Sequence, residues 1–480
     1  MNFLDPTNKT KELTFSDVFL MPGHSDISSR MDVDITPIDG LGMTLPVVIA
    51  NMTAVAGKRM AQTVTRRGGL VVLPQDYTFE KIQMIVDEVK HAPVNIEVAV
   101  ELSKKQSVQT ALNLINKRSH GAIIVVDDQK RPQGIFTTSD AYLRDRYTTL
   151  EEVMTKQVHA IDCTMSTTEA FQFLEEKRLN IAPVVDKNGM LLGVMSKKGI
   201  LRSTIYKPAL NQKSELLTSV AISMSKEMEA TVQQYKDIGV DVFVLDTAHG
   251  DQKRMIEAIT RVRKIIGPDK SLVAGNIVTK EAAERFIKAG ANILKVGIGP
   301  GAACTTRMMT GVGRPQFSSV HAVSEVARKY GAHVWSDGGC RHPRDVVLAL
   351  CAGASNVMIG TWFAGTFESP TDVQIDERGR MYKEQFGMAS RRAVVNRSRA
   401  DEILASNRKQ FFNEGISHSR MYLKEGQEGA EDILDKISAG LRSACAYVGA
   451  SNLQELQEKA IIGIQTPAGY AEGAPITTSW

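Results

Sequence analysis

Short apolar runs alternate with amphipathic segments along most of this chain, and this rhythm restricts the fold more than any other feature of the sequence. Runs that are apolar at nearly every position indicate strands buried on both faces, as in parallel sheets covered by helices. Eight such strands with helices between them predict an α/β protein folded as a (β/α)8 barrel, and a doubly wound open sheet is the competing arrangement. The predicted strands are Pro46–Asn51, Gly69–Pro74, Leu217–Ile222, Asp241–Asp246, Ser271–Asn276, Ala291–Gly297, Ala332–Asp337 and Ser355–Gly360.

Polar residues and glycines collect where these strands are predicted to end. In a (β/α)8 TIM barrel the carboxyl ends of the strands face one rim, and active sites lie at that rim. Any one of these residues also suits a simple turn, but eight together favour a site. They are Asn51, Gln75, Ser223, Asp246, Asn276, Gly297, Asp337 and Gly360.

One interval, from Asn95 to Ser203, interrupts the barrel pattern between the second and third predicted strands. It is too long for a loop in a compact domain, where connections usually have ~2–6 residues. A segment over 121–140 recurs over 181–199, and an amphipathic helix precedes each copy. This repeat resembles a tandem pair of CBS modules, which implies a regulatory unit that binds a purine nucleotide, ATP or GTP; an inert insertion is the alternative. We therefore divide the chain into a first barrel part (1–94), a tandem CBS module (95–203) and a second barrel part with a flap and a C-terminal segment (204–480).

Charge and cysteine content restrict the partners. The formal charge of +4 comes without a dense basic run, which argues against nucleic acid because binding to a phosphate backbone needs clustered Lys and Arg. The five cysteines show neither zinc spacing nor a disulfide framework, as expected in a reducing cytoplasm. The start of the chain lacks a signal-peptide pattern, and the longest apolar run is shorter than the roughly 20 residues of a membrane helix. We expect a cytoplasmic protein with no nucleic-acid or membrane partner.

The most specific local feature is a glycine-rich loop, Lys295–Arg307, directly after a predicted strand; its sequence is KVGIGPGAACTTR. Its glycines and proline allow tight turns that direct backbone amides and carbonyls into a site. Cys304 on this loop is a candidate nucleophile, since loop amides and a nearby cation favour the reactive thiolate. A buried cysteine that only fills space is the alternative.

With this loop, the chain resembles the IMP dehydrogenase/GMP reductase family over nearly its whole length. A CBS pair between the second and third barrel strands is the usual layout of the family's dehydrogenases. The matching segments are Leu13–Val18, Val244–Gly250, Gly275–Thr279, Ser336–Gly339, Met358–Gly360, Gly387–Met388, Glu414–Gly415 and Leu441–Ala450.

The resemblance implies a site for a purine nucleotide. Asp337 is expected to accept both ribose hydroxyls, and loop amides to hold the 5′-phosphate at this end of the barrel. Met388 is expected to hold the edge of the base from the flap. As alternatives, Asp337 caps a turn and Met388 belongs to the core. The expected substrate-binding residues are Asp337, Gly338, Gly339, Gly360, Thr361, Met388 and Asn276.

The resemblance also implies a nicotinamide cofactor and a monovalent cation. Asp246, Thr247 and Gly297 are expected to contact the cofactor, NADPH or alternatively NADH. The backbone carbonyls of Gly297, Gly299 and Cys304 are expected to bind the cation, K⁺. Tetramers are usual in the family, so we expect a homotetramer, or an octamer through pairing of the CBS modules.

The two branches of the family share a covalent step, in which the cysteine attacks purine C2 and hydride moves to or from that carbon. Dehydrogenases then hydrolyse the intermediate with an Arg-Tyr pair in the flap. No Arg-Tyr dipeptide lies between Met388 and Glu414, and Asp401-Glu402 stands at the corresponding place. Arg397, Arg399 and Arg408 remain candidates to replace the missing arginine.

The missing pair favours the reductase branch. The expected reaction is NADPH-dependent reductive deamination of GMP to IMP and ammonia through a Cys304 thioimidate, with Thr306 and Glu414 moving protons. The CBS pair and His249 are instead typical of the dehydrogenases, and Ala302 and Thr53 replace a serine and an aspartate that are usual in the family. The alternatives are IMP oxidation to XMP with NAD, and a relic that senses nucleotides without catalysis.

Overall fold

The structure is a computed structural model that describes residues 1–3, 7, 11–386 and 419–475. Its strands are β1 (Asn2–Phe3), β2 (Val18–Leu20), β3 (Val47–Ile49), β4 (Leu70–Leu73), β5 (Glu101–Ser103), β6 (Ala122–Val126), β7 (Pro132–Thr137), β8 (Ile161–Asp162), β9 (Ile181–Val185), β10 (Leu191–Ser196), β11 (Ser219–Ile222), β12 (Val242–Asp246), β13 (Ser271–Ile277), β14 (Ile293–Val296), β15 (His333–Asp337), β16 (Asn356–Ile359), β17 (Gln374–Ile375), β18 (Met381–Gln385), β19 (Ser419–Tyr422) and β20 (Ile461–Ile464).

The described α-helices lie mostly between the strands. They are α1 (Lys58–Arg66), α2 (Phe79–Lys90), α3 (Val108–Ile115), α4 (Leu150–Val153), α5 (Thr167–Glu176), α6 (Lys197–Ile205), α7 (Met228–Asp237), α8 (Lys253–Ile266), α9 (Lys280–Ala289), α10 (Thr306–Thr310), α11 (Gln316–Lys329), α12 (Pro343–Cys351), α13 (Thr361–Ala364), α14 (Ala430–Val448), α15 (Leu453–Lys459) and α16 (Pro467–Glu472). Within the described ranges, every helix is too short or too polar to cross a membrane.

Eight strands close into a barrel in the order β11-β12-β13-β14-β15-β16-β3-β4. All neighbours are parallel, and β3 closes the ring between β16 and β4. Each barrel strand overlaps one of the eight predicted strands. The predicted (β/α)8 barrel is therefore confirmed, and the open sheet is wrong because β16 pairs with β3 rather than ending at a free edge.

The apolar strands are buried on both faces, which explains why their sequences are nearly continuous runs. On β12, Val242 and Val244 belong to the cluster inside the barrel. Phe243 and Leu245 point the other way and pack with the surrounding helices in the larger core. Alternate residues of a strand face opposite sides, so each barrel strand needs apolar residues at both sets of positions.

The inserted interval contains two similar units. One forms the sheet β5-β6-β7 and the other the sheet β8-β9-β10. The units pack together through a shared apolar cluster to which β6 contributes Ile124 and Val126, and β10 contributes Leu191 and Val194. This arrangement agrees with the repeat in the sequence, while the boundaries at residues 95 and 203 and the CBS assignment stay predictions.

A buried ionic network joins the inserted interval to the barrel. Arg202 on α6 lies 3.0 Å from Glu431 on α14, and Arg67 after α1 pairs with the same carboxylate. Arg67 also donates to the carbonyl of Gly199 at 3.3 Å. We call Arg67, Arg202 and Glu431 the junction network.

Candidate active site

Three charged side chains meet at the end of the barrel where the carboxyl ends of its strands lie. Asp246 ends β12, Lys295 lies on β14, and Asp337 ends β15. The Lys295 ammonium is 3.0 Å from Asp246 Oδ1 and also pairs with Asp337 Oδ2. We call these three residues the mouth cluster.

The role of Lys295 was not foreseen from the sequence. Its side chain is 3% exposed, whereas both aspartates are about one-fifth exposed. Burial alone lowers the pKa of Lys295, but the carboxylates of Asp246 and Asp337 outweigh it and raise that pKa to about 12. The lysine is therefore a buried cation paired with two partly exposed carboxylates. Its position two residues after the interior Ile293 was the available signal, because both side chains face the barrel interior.

Two asparagines complete the polar contacts of the mouth cluster. Asn51, which follows β3, donates to Asp246 Oδ2 at 2.8 Å. Asn276 donates to Asp337 Oδ2 at 2.9 Å and to the carbonyl of Gly297 at 2.6 Å. Asn276 Oδ1 is buried and has no hydrogen-bond partner among the described residues. Since a buried acceptor usually has a partner, this oxygen suits a donor on a bound ligand.

The ends of β12 and β13 are tied together by backbone hydrogen bonds. The Thr247 amide donates to the Gly275 carbonyl at 2.9 Å, and the Asn276 amide donates to the Thr247 carbonyl at 2.9 Å. The Thr247 hydroxyl also donates to the Gly275 carbonyl, at 3.3 Å. Thr247 therefore lies directly beside Asp246 and Asn276, as a shared site requires.

Cys304 lies on the exposed loop between β14 and α10. Its thiol donates to Thr306 Oγ1 at a distance of 3.3 Å, and Thr306 is the first residue of α10. The backbone of the loop is held in a turn by a 3.0 Å bond from the Cys304 amide to the Gly301 carbonyl. The two reactive groups predicted on this loop are therefore adjacent and open to a ligand.

The loop packs closely against the end of β15. A side chain at Gly338 would approach the amide nitrogen of Gly301 to 3.1 Å, and a side chain at Gly297 would collide with the carbonyl of Asp337. Both glycines have positive φ, which disfavours any other residue there. This close approach places the Cys304 loop next to the mouth cluster.

The predicted phosphate cradle lies at the ends of β15 and β16. Gly338 and Gly339 have φ of +84° and +85°, and Gly360 precedes the first residue of α13, Thr361. The Gly338 amide makes one long bond, 3.4 Å, to the Met358 carbonyl. The first amides of a helix have no intrahelical partner, so Gly360 and Thr361, at the start of α13, offer donors to an anion.

The predicted cation ligands share one loop. Gly297 and Gly299 both have positive φ, and Cys304 follows on the same loop. The Gly297 carbonyl already accepts from Asn276, which leaves it one lone pair. Backbone carbonyls are ligands that K⁺ takes, but the cation site stays a prediction. No cluster of His, Cys, Asp and Glu suited to a metal ion is found among the described side chains.

Two predicted site residues, Met388 and Glu414, lie outside the described residues. The same is true of Asp401-Glu402 and of Arg397, Arg399 and Arg408. The flap contacts inferred from the sequence therefore stay predictions.

The chain is similar in sequence to known proteins over its whole length. The family model described as the IMP dehydrogenase / GMP reductase domain matches residues 12–476. A GMP reductase of Mycobacterium tuberculosis (strain ATCC 25618 / H37Rv) is 47% identical over 480 residues, 100% of each chain. An inosine-5′-monophosphate dehydrogenase of Methanocaldococcus jannaschii is 34% identical over 97% of this chain and 95% of that protein.

Solved structures show the same similarity. A cysteine-to-alanine variant of GMP reductase from Trypanosoma brucei, in complex with guanosine 5′-monophosphate, has a TM-score of 0.69 and 29% identity, covering 99% of this chain and 100% of that one. GMP reductase from the same organism in complex with guanosine 5′-triphosphate has a TM-score of 0.57 and 28% identity, covering 95% and 98% of the two chains.

Proposed function

Because this chain belongs to the IMP dehydrogenase/GMP reductase family, we propose that it reduces GMP to IMP and ammonia with NADPH as the hydride donor. The observation that carries the proposal is the contact between the Cys304 thiol and the Thr306 hydroxyl, beside the mouth cluster. The 47% identity to a GMP reductase over the full chain supports the same reaction. GMP, NADPH and two protons give IMP, NADP⁺ and ammonium.

In the proposed first step, the Cys304 thiolate forms a bond to purine C2, and the 2-amino group leaves as ammonia. A thiolate suits this step because it is a strong nucleophile and later leaves readily. The Thr306 hydroxyl, 3.3 Å from the sulfur, is placed to pass a proton towards the departing amine. Glu414, outside the described residues, is proposed as its proton partner.

In the second step, the reduced nicotinamide would supply a hydride to C2, after which the C–S bond would break to release IMP and the Cys304 thiolate. Asp246, Thr247 and Gly297 are proposed to hold the cofactor, with NADH as the alternative donor. Their fit is supported by their common position at the ends of β12 and β14 and by the nearby Asn276 Oδ1, which has no hydrogen-bond partner in the part of the chain that the structure describes. The carbonyls of Gly297, Gly299 and Cys304 are proposed to bind K⁺, which would stabilise the loop conformation.

The proposed substrate contacts use the open side of the mouth cluster. Asp337 Oδ2 accepts from Asn276 and Lys295, whereas Oδ1 accepts no hydrogen bond from the described part of the chain. That free oxygen suits a ribose hydroxyl. The 5′-phosphate then lies at the cradle formed by Gly338, Gly339, Gly360 and Thr361, and Met388 holds the base.

The inserted interval, 95–203, is proposed to be a tandem CBS module that binds ATP or GTP and regulates the barrel formed by 1–94 and 204–480. Its two similar units, packed face to face, support this assignment. The related GMP reductase structure in complex with guanosine 5′-triphosphate adds support for a nucleotide effector. We propose a homotetramer that assembles further to an octamer through these modules.

The test is the absorbance of reduced nicotinamide with purified protein. With GMP and NADPH, we expect loss of the signal and release of ammonia. Cys304→Ala should lower turnover by roughly a thousandfold or more, as expected when a covalent nucleophile is removed, while GMP binding is retained. A gain of signal with IMP and NAD⁺, or substantial turnover by Cys304→Ala, would contradict the proposal.

A further inference from the structure

One buried lysine touches two carboxylates that the proposed function assigns to different ligands. Asp337 is assigned to the nucleotide and Asp246 to the nicotinamide cofactor, and the Lys295 ammonium contacts both. We propose that Lys295 is a positioning residue that makes the nucleotide and cofactor sites depend on each other through its shared charge. This inference rests on the proposed function.

The charge balance of the mouth cluster supports this coupling. Two carboxylates share one ammonium, so the cluster carries a net charge of −1. Lys295 is 3% exposed and surrounded by the barrel interior, where screening by water is weak. Removal of the ammonium would leave two like charges facing each other at the ends of β12 and β15, and like charges at close range strongly oppose each other's ionisation.

The hydrogen bonds show how Lys295 acts through its neighbours. It fixes Asp246 by Oδ1, while Asn51 holds Oδ2 of the same carboxylate. It fixes Asp337 by Oδ2 and leaves Oδ1 without a hydrogen bond from the described residues. The side chain of Lys295 is buried whereas both carboxylates are partly exposed, so we assign the ammonium no direct ligand contact.

The first test compares binding of IMP and of NADP⁺, each alone, to wild-type protein and to Lys295→Met by titration calorimetry. Asp337→Asn should weaken binding of IMP more than binding of NADP⁺, and Asp246→Asn should do the reverse, with a smaller change for the other ligand in each case. Lys295→Met should lower the affinity for IMP and the affinity for NADP⁺, each by roughly 5- to 150-fold, the usual range for coupled sites. Lys295→Arg keeps the charge and should retain most of both affinities. A change in only one affinity would overturn the proposal.

A double variant separates charge from packing. Lys295→Met changes the net charge of the cluster from −1 to −2, and adding Asp337→Asn returns it to −1. NADP⁺ affinity should therefore recover by roughly fivefold or more in the double variant, although Asp337 does not belong to the cofactor site. A folded double variant without this recovery would show that Lys295 only fills space.

Folding of the variants is checked by circular dichroism. If Lys295→Met alone does not fold, recovery of folding on adding Asp337→Asn supports the same charge argument. If neither folds, Asp246→Asn must change IMP affinity by at least about fivefold without cofactor, and an unchanged affinity overturns the proposal. Failure of wild-type protein to bind any purine nucleotide would instead contradict the proposed function.

Discussion

The mouth cluster and the junction network both bury a cation among carboxylates, but they differ in what remains open. In the mouth cluster, Lys295 is 3% exposed and its two aspartates are 20% and 21% exposed. In the junction network, Arg67 and Glu431 are each 3% exposed and Arg202 is 7% exposed. The carboxylates at the mouth retain a side for a ligand, whereas Glu431 is enclosed by protein.

Because of this difference in exposure, we expect the two groups of ion pairs to have different roles. A fully enclosed ion pair contributes little net stability when complete, yet loss of one partner is costly because a buried charge is left uncompensated. A carboxylate that still faces an opening can exchange water for a ligand hydroxyl with less disturbance of the fold. The mouth cluster should therefore govern binding, and the junction network should govern stability.

The largest expected effect is a loss of stability when the junction network is disrupted. Burial disfavours ionised Glu431, but Arg67 and Arg202 outweigh it and hold the pKa of Glu431 below its ordinary value. Glu431→Gln removes that charge and leaves Arg67 without its carboxylate. We expect the free energy of unfolding to fall by about 3–5 kcal/mol, measured by urea denaturation.

Asp435→Asn provides the matched control for this variant. Asp435 contacts the same guanidinium of Arg202 at 2.7 Å but is 39% exposed. Its loss should cost about 0–1 kcal/mol, as for exposed ion pairs. Both variants should keep the turnover of the folded enzyme. Equal costs for the two substitutions would show that enclosure does not distinguish the junction network.

In contrast to Glu431→Gln, Asp337→Asn is expected to weaken nucleotide binding and to leave stability nearly unchanged. The neutral amide would replace the charged acceptor that Asp337 offers to a ribose hydroxyl, so GMP binding should weaken by about 1.5–3 kcal/mol, or roughly 10- to 150-fold. The urea midpoint should stay close to that of wild-type protein. Calorimetric titration measures the affinity for GMP. A large loss of stability with unchanged GMP affinity would contradict the assignment of the mouth cluster to binding.

The sequence predicted the barrel better than it predicted the charge networks. Each predicted strand is present because the local apolar pattern determines burial on both faces. The loop of Cys304 and Thr306 was also found, since both residues lie within one short segment. Strand ends differ by one or two residues, as at Pro46–Asn51 against Val47–Ile49, because the polar ends of a run do not specify where pairing stops.

The contacts that were missed join distant parts of the chain. Arg67 and Glu431 are 364 positions apart, and Asn51 and Asp246 are 195 apart, so no local pattern connects them. Lys295 was more accessible to prediction, because a lysine within an apolar strand must be paired if it faces the barrel interior. Which carboxylates pair with it follows only from the order of strands around the barrel.

The smallest expected effect concerns Glu97, at the edge of the junction network. It accepts from the amide and hydroxyl of Ser196 at 2.9 and 2.8 Å. Burial, and then the charge of Glu431, raise the pKa of Glu97 above its ordinary value of 4.5, although Arg67 opposes them. The folded protein therefore binds a proton here more tightly than the unfolded chain does, so stability falls as pH rises above 4.5.

Glu97→Gln keeps an acceptor for Ser196 but removes this proton uptake. We expect a flatter dependence of unfolding free energy on pH above 4.5, with at most about 1.4 kcal/mol per pH unit removed. Urea denaturation at a series of pH values measures the slope, and Glu176→Gln, at an exposed position on α5, is the control. An unchanged slope in Glu97→Gln would mean that this carboxylate titrates alike in the folded and unfolded chain, and that the junction network ends at Glu431.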